Sequence, residues 1–456
     1  MKGKIVVVGS GPGGSIAAFY LAQAGLDVLL IEEGAEEIVP PFSLKELRLK
    51  YRGRGQTLAF GSPHVQYVEG CCVGGGSEIN SGLYHRLPDP IREEWTKRLQ
   101  IASFAASDLE PHYQECERIL SIQTSSHISL ASLKIAKGSS KLGWKFVEVP
   151  RWFGKEGTRY SMSKTFIPNF LACGGKLLSN TKVQRLIQKK GGWEIFTSKG
   201  SIFAETVFLS AGAIQTPWLL ERSGLNKNTG MQLALHPTIK LTARFKEEIN
   251  GNSVGIPVHQ VKEFSPQISL GGSVSRMPHL MAAYAHHPDF PEWFLLHWKH
   301  LFTYYAMICT DTRGSIRAIP GCDSPLVTYR MSLQDRELLA QGQKRLAELL
   351  FAAGALEVIT AAGARCHNPS QLPEAIGKRA KGLMTIHLCG SCPMGENRSL
   401  CAADSFGKVH GLENLYISDS SLLGGGPSVN PQGIVMAIAR RNVTHFLNQR
   451  GLWKNS

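Results

Sequence analysis

A chain of 456 residues that is 43% hydrophobic and only 19% charged carries enough apolar material for two domains, which excludes a disordered chain. Its 50 Lys and Arg outnumber 36 Asp and Glu, but the charges are scattered without long runs of one sign, so a nucleic-acid partner is not expected. No apolar stretch reaches the roughly 18 residues of a spanning helix, and no integral membrane segment is expected.

Met1 and Lys2 lead almost directly into the apolar run Ile5 to Val8, so no signal peptide is expected and the cytoplasm is the expected location. Ten cysteines there read as reduced thiols rather than a disulfide framework. Lys4 to Val8 reads as a short buried strand, Gly9 to Gly14 as a turn, Ser15 to Ala24 as a helix and Asp27 to Glu32 as a second strand. Gly25 stands where a helix ends in a left-handed residue. In this βαβ unit, Gly9-Ser-Gly11-Pro-Gly13-Gly14 fits G-x-G-x-x-G between strand and helix, the context a dinucleotide site needs. Gly9 makes the turn, Gly11 admits a pyrophosphate to the backbone, and Gly14 lets the helix pack on the strand. Glu32 falls where a carboxylate accepts from an adenosine ribose hydroxyl. The fingerprint says dinucleotide without choosing FAD or NAD.

A second glycine cluster stands at Gly74, Gly75 and Gly76. From Lys176 to Ala211 short strands dominate, with a turn at Lys190, Gly191 and Gly192 and an apolar strand from Thr206 to Ser210. Leu241 to Ile359 reads as a different module, in which aromatic residues crowd Tyr284 to Tyr305 and Ser332 caps a long helix toward Ala352. Such aromatics are more often core than pocket, but in a substrate module they can line an apolar channel. Asn414 to Leu447 returns to strand, glycine-rich loop and helix.

Four further segments resemble the glucose-methanol-choline oxidoreductase family over essentially the whole chain. Gly74-Gly-Gly-Ser77-Glu-Ile-Asn80 is similar to the family's glycine loop along a flavin, and Gly212 to Gly224 to its second signature, with Asn226 where a glycine is usual. His387 to Gly395 resembles the segment holding the active-site His, and Asn414 to Asp419, continuing to Asn430-Pro431, the closing flavin segment. The pairing of His387 with Asn430 resembles the cholesterol oxidase-like branch. The resemblance implies an α/β fold: a Rossmann-like FAD-binding domain of the glutathione reductase type with an inserted α+β substrate-binding domain. Its expected pieces are 1–90, 160–240 and 381–456 for FAD, and 91–159 and 241–380 for substrate. Implied FAD contacts are Gly9, Gly11, Gly13, Gly14, Glu32, Gly75, Gly76, Ser77, Asn80, Val183, Gly212, Asp419, Ser420, Asn430 and Pro431. Ile79 occupies the position where some members carry a flavin-tethering His, so the FAD is expected to be noncovalent. Cys71-Cys72 replaces a common Arg-Gly, and the chain is shorter than most members, which implies a trimmed substrate module.

The implied chemistry is oxidation of an alcohol, with oxygen or another carrier reoxidising the flavin. His387 serves as the base or as a partner of the substrate oxygen, because imidazole titrates near working pH. Asn430 orients that oxygen, although Asn before Pro431 also suits a helix cap. The helix after Pro431 favours negative charge at its N-terminus. Asp419 orders a loop. Cys389 and Cys392, with Cys401 and His410, are expected to be thiols and a structural His rather than a metal site. A non-redox or light-driven flavoprotein, a lyase or decarboxylase on the same fold, remains the alternative, and the aromatic cluster with the His-Asn pair favours apolar alcohols as substrates.

Overall fold

The computed structural model describes residues 4–124, 128–154, 158–225, 227–251, 255–284 and 290–453. Asn226 and part of the aromatic segment, 285–289, lie outside them. The apolar run Ile5–Val8 forms the middle strand of a five-stranded parallel sheet, flanked by Val28–Ile31 and Thr206–Leu209, with Lys176–Leu178 and Leu415–Ile417 at the edges. Strands buried on both faces carry continuous apolar runs, as these do. The helix expected from Ser15 begins at Pro12 and ends at Gln23, because proline suits a first helical turn. It packs against the C-terminal helix Gln432–Gln449. Glycine is required at position 13 by a close approach: a Cβ there would stand 1.9 Å from the Ser418 carbonyl oxygen. First loop and last strand thus meet backbone to backbone.

Val183–Lys189, Gly192–Thr197 and Gly200–Ala204 form an antiparallel meander, with the expected Gly191 turn between the first two. A ten-stranded mixed sheet makes the second layer system. Its central strands Thr238–Arg244 and Leu301–Ile308 pair antiparallel, with Thr238 opposite Met307 and Lys240 opposite Tyr305. The long helix expected after Ser332 spans Leu333–Ala352, and Ser332 Oγ accepts from the Asp335 amide. That helix covers the large sheet together with Leu130–Leu142.

Asp89–Leu99 and Ala106–Ile119 bury Trp95, Leu99, Leu109 and Tyr113 in the core around the parallel sheet, so much of 91–159 belongs with the nucleotide side. Two amphipathic helices following a loop give no signal of which sheet they cover. Thr238–Arg244 already lies in the large sheet, which therefore begins before residue 241 and takes in Met384–Thr385 and Val65–Tyr67 as well. Of the aromatic cluster, Tyr284 and Phe294 pack with Leu280, Leu301 and Ile359 in a small separate core.

Candidate active site

One cavity of about 750 Å³ runs from the end of the parallel sheet to the face of the large one. At its nucleotide end stands Glu32, buried directly after the Val28–Ile31 strand. Its Oε2 accepts from the Ser10 amide at 2.9 Å and the Ser10 hydroxyl at 2.7 Å, and its Oε1 accepts from the Gly34 amide at 2.9 Å. Burial pushes the Glu32 carboxyl up while these donors pull it down. Two carboxylate oxygens carry about four acceptor positions, so the three donors leave capacity for a ligand hydroxyl. Asp419 accepts from the Gly212 amide at 2.9 Å, the Thr216 hydroxyl at 2.6 Å and the Ser421 amide at 2.8 Å, tying two loops that edge the cavity.

Most of the expected cofactor positions line this cavity: Gly9, Gly11, Gly13, Glu32, Gly75, Gly76, Asn80, Val183, Gly212, Asp419, Ser420, Asn430 and Pro431. Ser77 and Gly14 stand behind the wall. The Ser77 hydroxyl donates to the Gly74 carbonyl and accepts from the Met162 amide, and a Cβ on Gly14 would stand 1.9 Å from the Gly9 carbonyl oxygen. A Cβ added at Gly11, Gly76 or Gly212 meets nothing within 4 Å, so the backbone there faces open space that a ligand can approach closely.

At the other end, His387 follows the Met384–Thr385 strand and is 7% exposed. Its Nε2 lies 3.2 Å from Asn430 Nδ2, and its Nδ1 lies 3.0 Å from Nδ1 of His236, a residue the sequence did not single out. Antiparallel pairing of Leu235 with Leu388 brings these two histidines together. Asn430 Oδ1 accepts from Gln260 Nε2 at 3.2 Å, Gln260 Nε2 also donates to the Tyr305 hydroxyl at 2.9 Å, and Gln260 Oε1 lies 3.0 Å from His85 Nε2. Gly271 sits between Gln260 and Tyr305 in the sheet, and a Cβ there would meet the Tyr305 hydroxyl at 2.5 Å. Only a bare backbone lets that ring reach across. Asn430 is not the helix cap. Pro431 holds that place, leaving the Asn430 amide to face the imidazole.

The bonds fix a direction. If Asn430 Oδ1 accepts from Gln260, Asn430 Nδ2–H must donate to His387 Nε2, which then carries a lone pair. The proton of His387 sits on Nδ1 and is given to His236. Burial pushes His387 down to about 4, and burial with His387 alongside pushes His236 down as well, so both rings are neutral near pH 7. His85, lowered to about 3 by burial first and Lys262 second, is neutral too.

Residues 47–238 and 313–439 match the N- and C-terminal GMC oxidoreductase domains, and 7–36 match an NAD(P)-binding Rossmann-like domain. An uncharacterised GMC-type oxidoreductase of Sinorhizobium fredii is 34% identical over 97% of this chain and 94% of its own length. This chain belongs to the GMC oxidoreductase family. A long-chain-alcohol oxidase of Arabidopsis thaliana is 26% identical over 95% of this chain and 66% of its own. The solved pyridoxine 4-oxidase from Mesorbium loti shares the fold, with a TM-score of 0.76 at 17% identity over 98% of this chain and 99% of its own. As a GMC protein the chain is a flavin-binding oxidoreductase with a Rossmann-like α/β fold. The cavity fits that group: backbone open at Gly11 and Gly76, an acceptor at Glu32, and the start of the Gln432–Gln449 helix beside Pro431. His236, Gln260 and His85 were missed because each reaches the GMC site from behind the wall, through pairing distant in the chain.

Cys389 and Cys392 are buried free thiols whose pKa values burial pushes up, so neither is primed as a thiolate. His410 Nε2 is spent on the Gly395 carbonyl at 3.0 Å. Among the described residues no group of three or more His, Cys, Asp or Glu is placed to hold a metal, and no helix is long and apolar enough to cross a membrane.

Proposed function

We propose that this GMC protein oxidises the CH–OH group of an apolar alcohol with noncovalently held FAD. The observation that carries the reading is the His387–Asn430 pair at the cavity wall, with the His387 Nε2 lone pair turned to an amide that orients it. FAD, when bound, supplies an acceptor for the hydride lost from the alcohol carbon. Gly11 and Gly13 would hold its pyrophosphate, Glu32 its ribose, and Gly75, Gly76 and Asn80 the edge of its ring system. A bound alcohol would take the place of the Asn430 amide at His387 Nε2, whose freed lone pair accepts the hydroxyl proton while the displaced Asn430 Nδ2–H donates to the substrate oxygen. Pro431 and the helix behind it place positive backbone ends where charge develops.

Ile79 lines the cavity with an aliphatic side chain, which supports noncovalent retention. Ile256, Val274, Pro278, Ala283, Met307 and Met384 give the chemical end an apolar surface, which supports an apolar alcohol. Ten free cysteines suit a reducing compartment, and we place the protein in the cytoplasm. Oxygen or another small carrier would reoxidise the flavin. The test is anaerobic stopped-flow reduction of the bound flavin by a panel of alcohols, with wild type and His387→Ala. The variant should keep its FAD and slow by roughly a hundredfold to ten-thousandfold. Turnover with the flavin permanently oxidised, or a His387→Ala protein reduced at the wild-type rate, would overturn the reading.

A further inference from the structure

Strands present alternate residues to one face, and Thr238, Lys240 and Thr242 all line the cavity from the strand Thr238–Arg244. Lys240 lies opposite Tyr305, whose hydroxyl receives a hydrogen bond from Gln260, the same amide that holds Asn430. Its place is therefore the substrate side. Among the described residues the Lys240 side chain has no ion pair and no hydrogen bond.

The cavity's carboxylates do not answer it. Glu32 is held by Ser10 and Gly34. Glu33 pairs with Arg52 at 2.8 Å and Lys182 at 3.6 Å, and Glu69 lies 3.5 Å from Arg52. Asp419 is held by Gly212, Thr216 and Ser421. All four stand at the nucleotide end. Beside Lys240 stands no acid but His279, which also lines the cavity, is held neutral by burial first and by Lys240 and Arg276 after it, and leaves its Nδ1 without a partner among the described residues. Burial alone lowers the Lys240 ammonium to about 8. An ammonium in a wall that offers hydroxyls and an imidazole but no carboxylate is costly to bury unless the ligand brings the opposite charge.

From this juxtaposition we infer that the substrate is an amphipathic anion: an alcohol whose carbon skeleton carries a carboxylate or phosphate that Lys240 binds, with His279 as a second donor. The inference rests on the proposed alcohol chemistry and narrows its substrate from a plain apolar alcohol to an acid-bearing one.

Binding and reduction test it separately on the FAD-loaded enzyme. Octanoate, octyl phosphate and octanol are titrated while the flavin absorbance is followed, using wild type, Lys240→Met and Lys240→Arg. The anions should bind wild type about tenfold or more tighter than octanol. Lys240→Met should lose that preference and leave octanol affinity within about twofold, and Lys240→Arg should keep most of it. Whichever anion binds tighter identifies the head group, and either supports the inference. Equal affinity of anions and octanol, or a Lys240→Met variant that weakens all three alike, overturns it. So does a variant that shifts the flavin midpoint potential without changing anion affinity. Reduction by ω-hydroxyoctanoate is then compared with reduction by octanol. Lys240-dependent anion binding without reduction by any alcohol leaves the anion site standing and removes the alcohol chemistry. Reduction by octanol as efficient as by ω-hydroxyoctanoate keeps the chemistry and removes the anion site.

Discussion

Replacing His236 with Leu tests whether the histidine behind the wall sets which nitrogen of His387 faces the substrate. In the structure His387 Nδ1–H is given to His236 Nδ1 at 3.0 Å, and both rings are almost fully buried. Leucine removes the acceptor, and an unsatisfied buried donor costs about 1–3 kcal/mol. That cost falls only on the tautomer with the proton on Nδ1. Its population, and with it the Nε2 lone pair, should drop by about 5-fold to 150-fold, and the flavin reduction rate should drop in proportion. Affinity for the alcohol should stay within about twofold, because His236 does not line the cavity. His236 Nε2 has no partner among the described residues, so that unpaired atom leaves with the ring and little stability should be lost. His236→Asn, which can return an oxygen near the position of Nδ1, should recover much of the rate. The assay is anaerobic stopped flow, with nitrogen chemical shifts of His387 reporting the tautomer. A His236→Leu protein that folds, holds FAD and reduces it within twofold of wild type would refute the directed chain of hydrogen bonds.

Glu32→Ala should weaken FAD retention by about 10-fold to 150-fold, from loss of a charge-assisted bond of about 1.5–3 kcal/mol, measured by fluorescence titration of the deflavinated protein. Acid or heat should release intact FAD, since Ile79 offers no attachment, and flavin that stays with the denatured chain would contradict this. Acid should also unfold the protein early. His236 and His387 are held neutral with folded pKa values below the unfolded value of about 6.5, so their contribution is complete above that pH and is lost as pH falls toward the folded values. At pH 5 the unfolded chain gains protons the folded one refuses, costing about 2 kcal/mol per histidine. His85, His112 and His279 are depressed by burial too, so denaturant titrations should show a loss between pH 7 and 5 that is smaller in His236→Leu by one histidine's share, about 2 kcal/mol.

Sequence reading reached the parts of this molecule that are written locally. The first βαβ unit follows from one apolar run, a glycine turn and one helix period, and the Ser332 cap from a residue type beside a helical pattern. His387 and Asn430 were legible through their resemblance to family segments, and the structure brings them to 3.2 Å. Gln260 and His236 were not, because neither position carries a local pattern. Gln260 reaches Asn430 across 170 residues through a side-chain contact from strand to loop, and His236 meets His387 across 151 through the pairing of Leu235 with Leu388. Lys240 was invisible for a related reason: which face of a strand meets a cavity depends on the sheet around it. The division expected at residue 91 rests on no local signal, because the helices after it are amphipathic and either sheet could take them.

The backbone contact between Gly13 and Ser418 also dictates when the protein can acquire its cofactor. The two residues stand 405 positions apart, and the Ser418 hydroxyl bonds the Gly13 carbonyl at 3.3 Å. A ribosome adding about 5–20 residues per second exposes the first loop roughly 20–80 s before its partner exists. For the roughly 10–40 s between its own synthesis and that of Leu415–Ile417, the strand that pairs with it, Thr206–Leu209 is an uncovered apolar edge. A cavity walled by both the first loop and Asp419 is complete only once that late segment has been made, and a ligand that binds the completed cavity draws the sheet toward its native state.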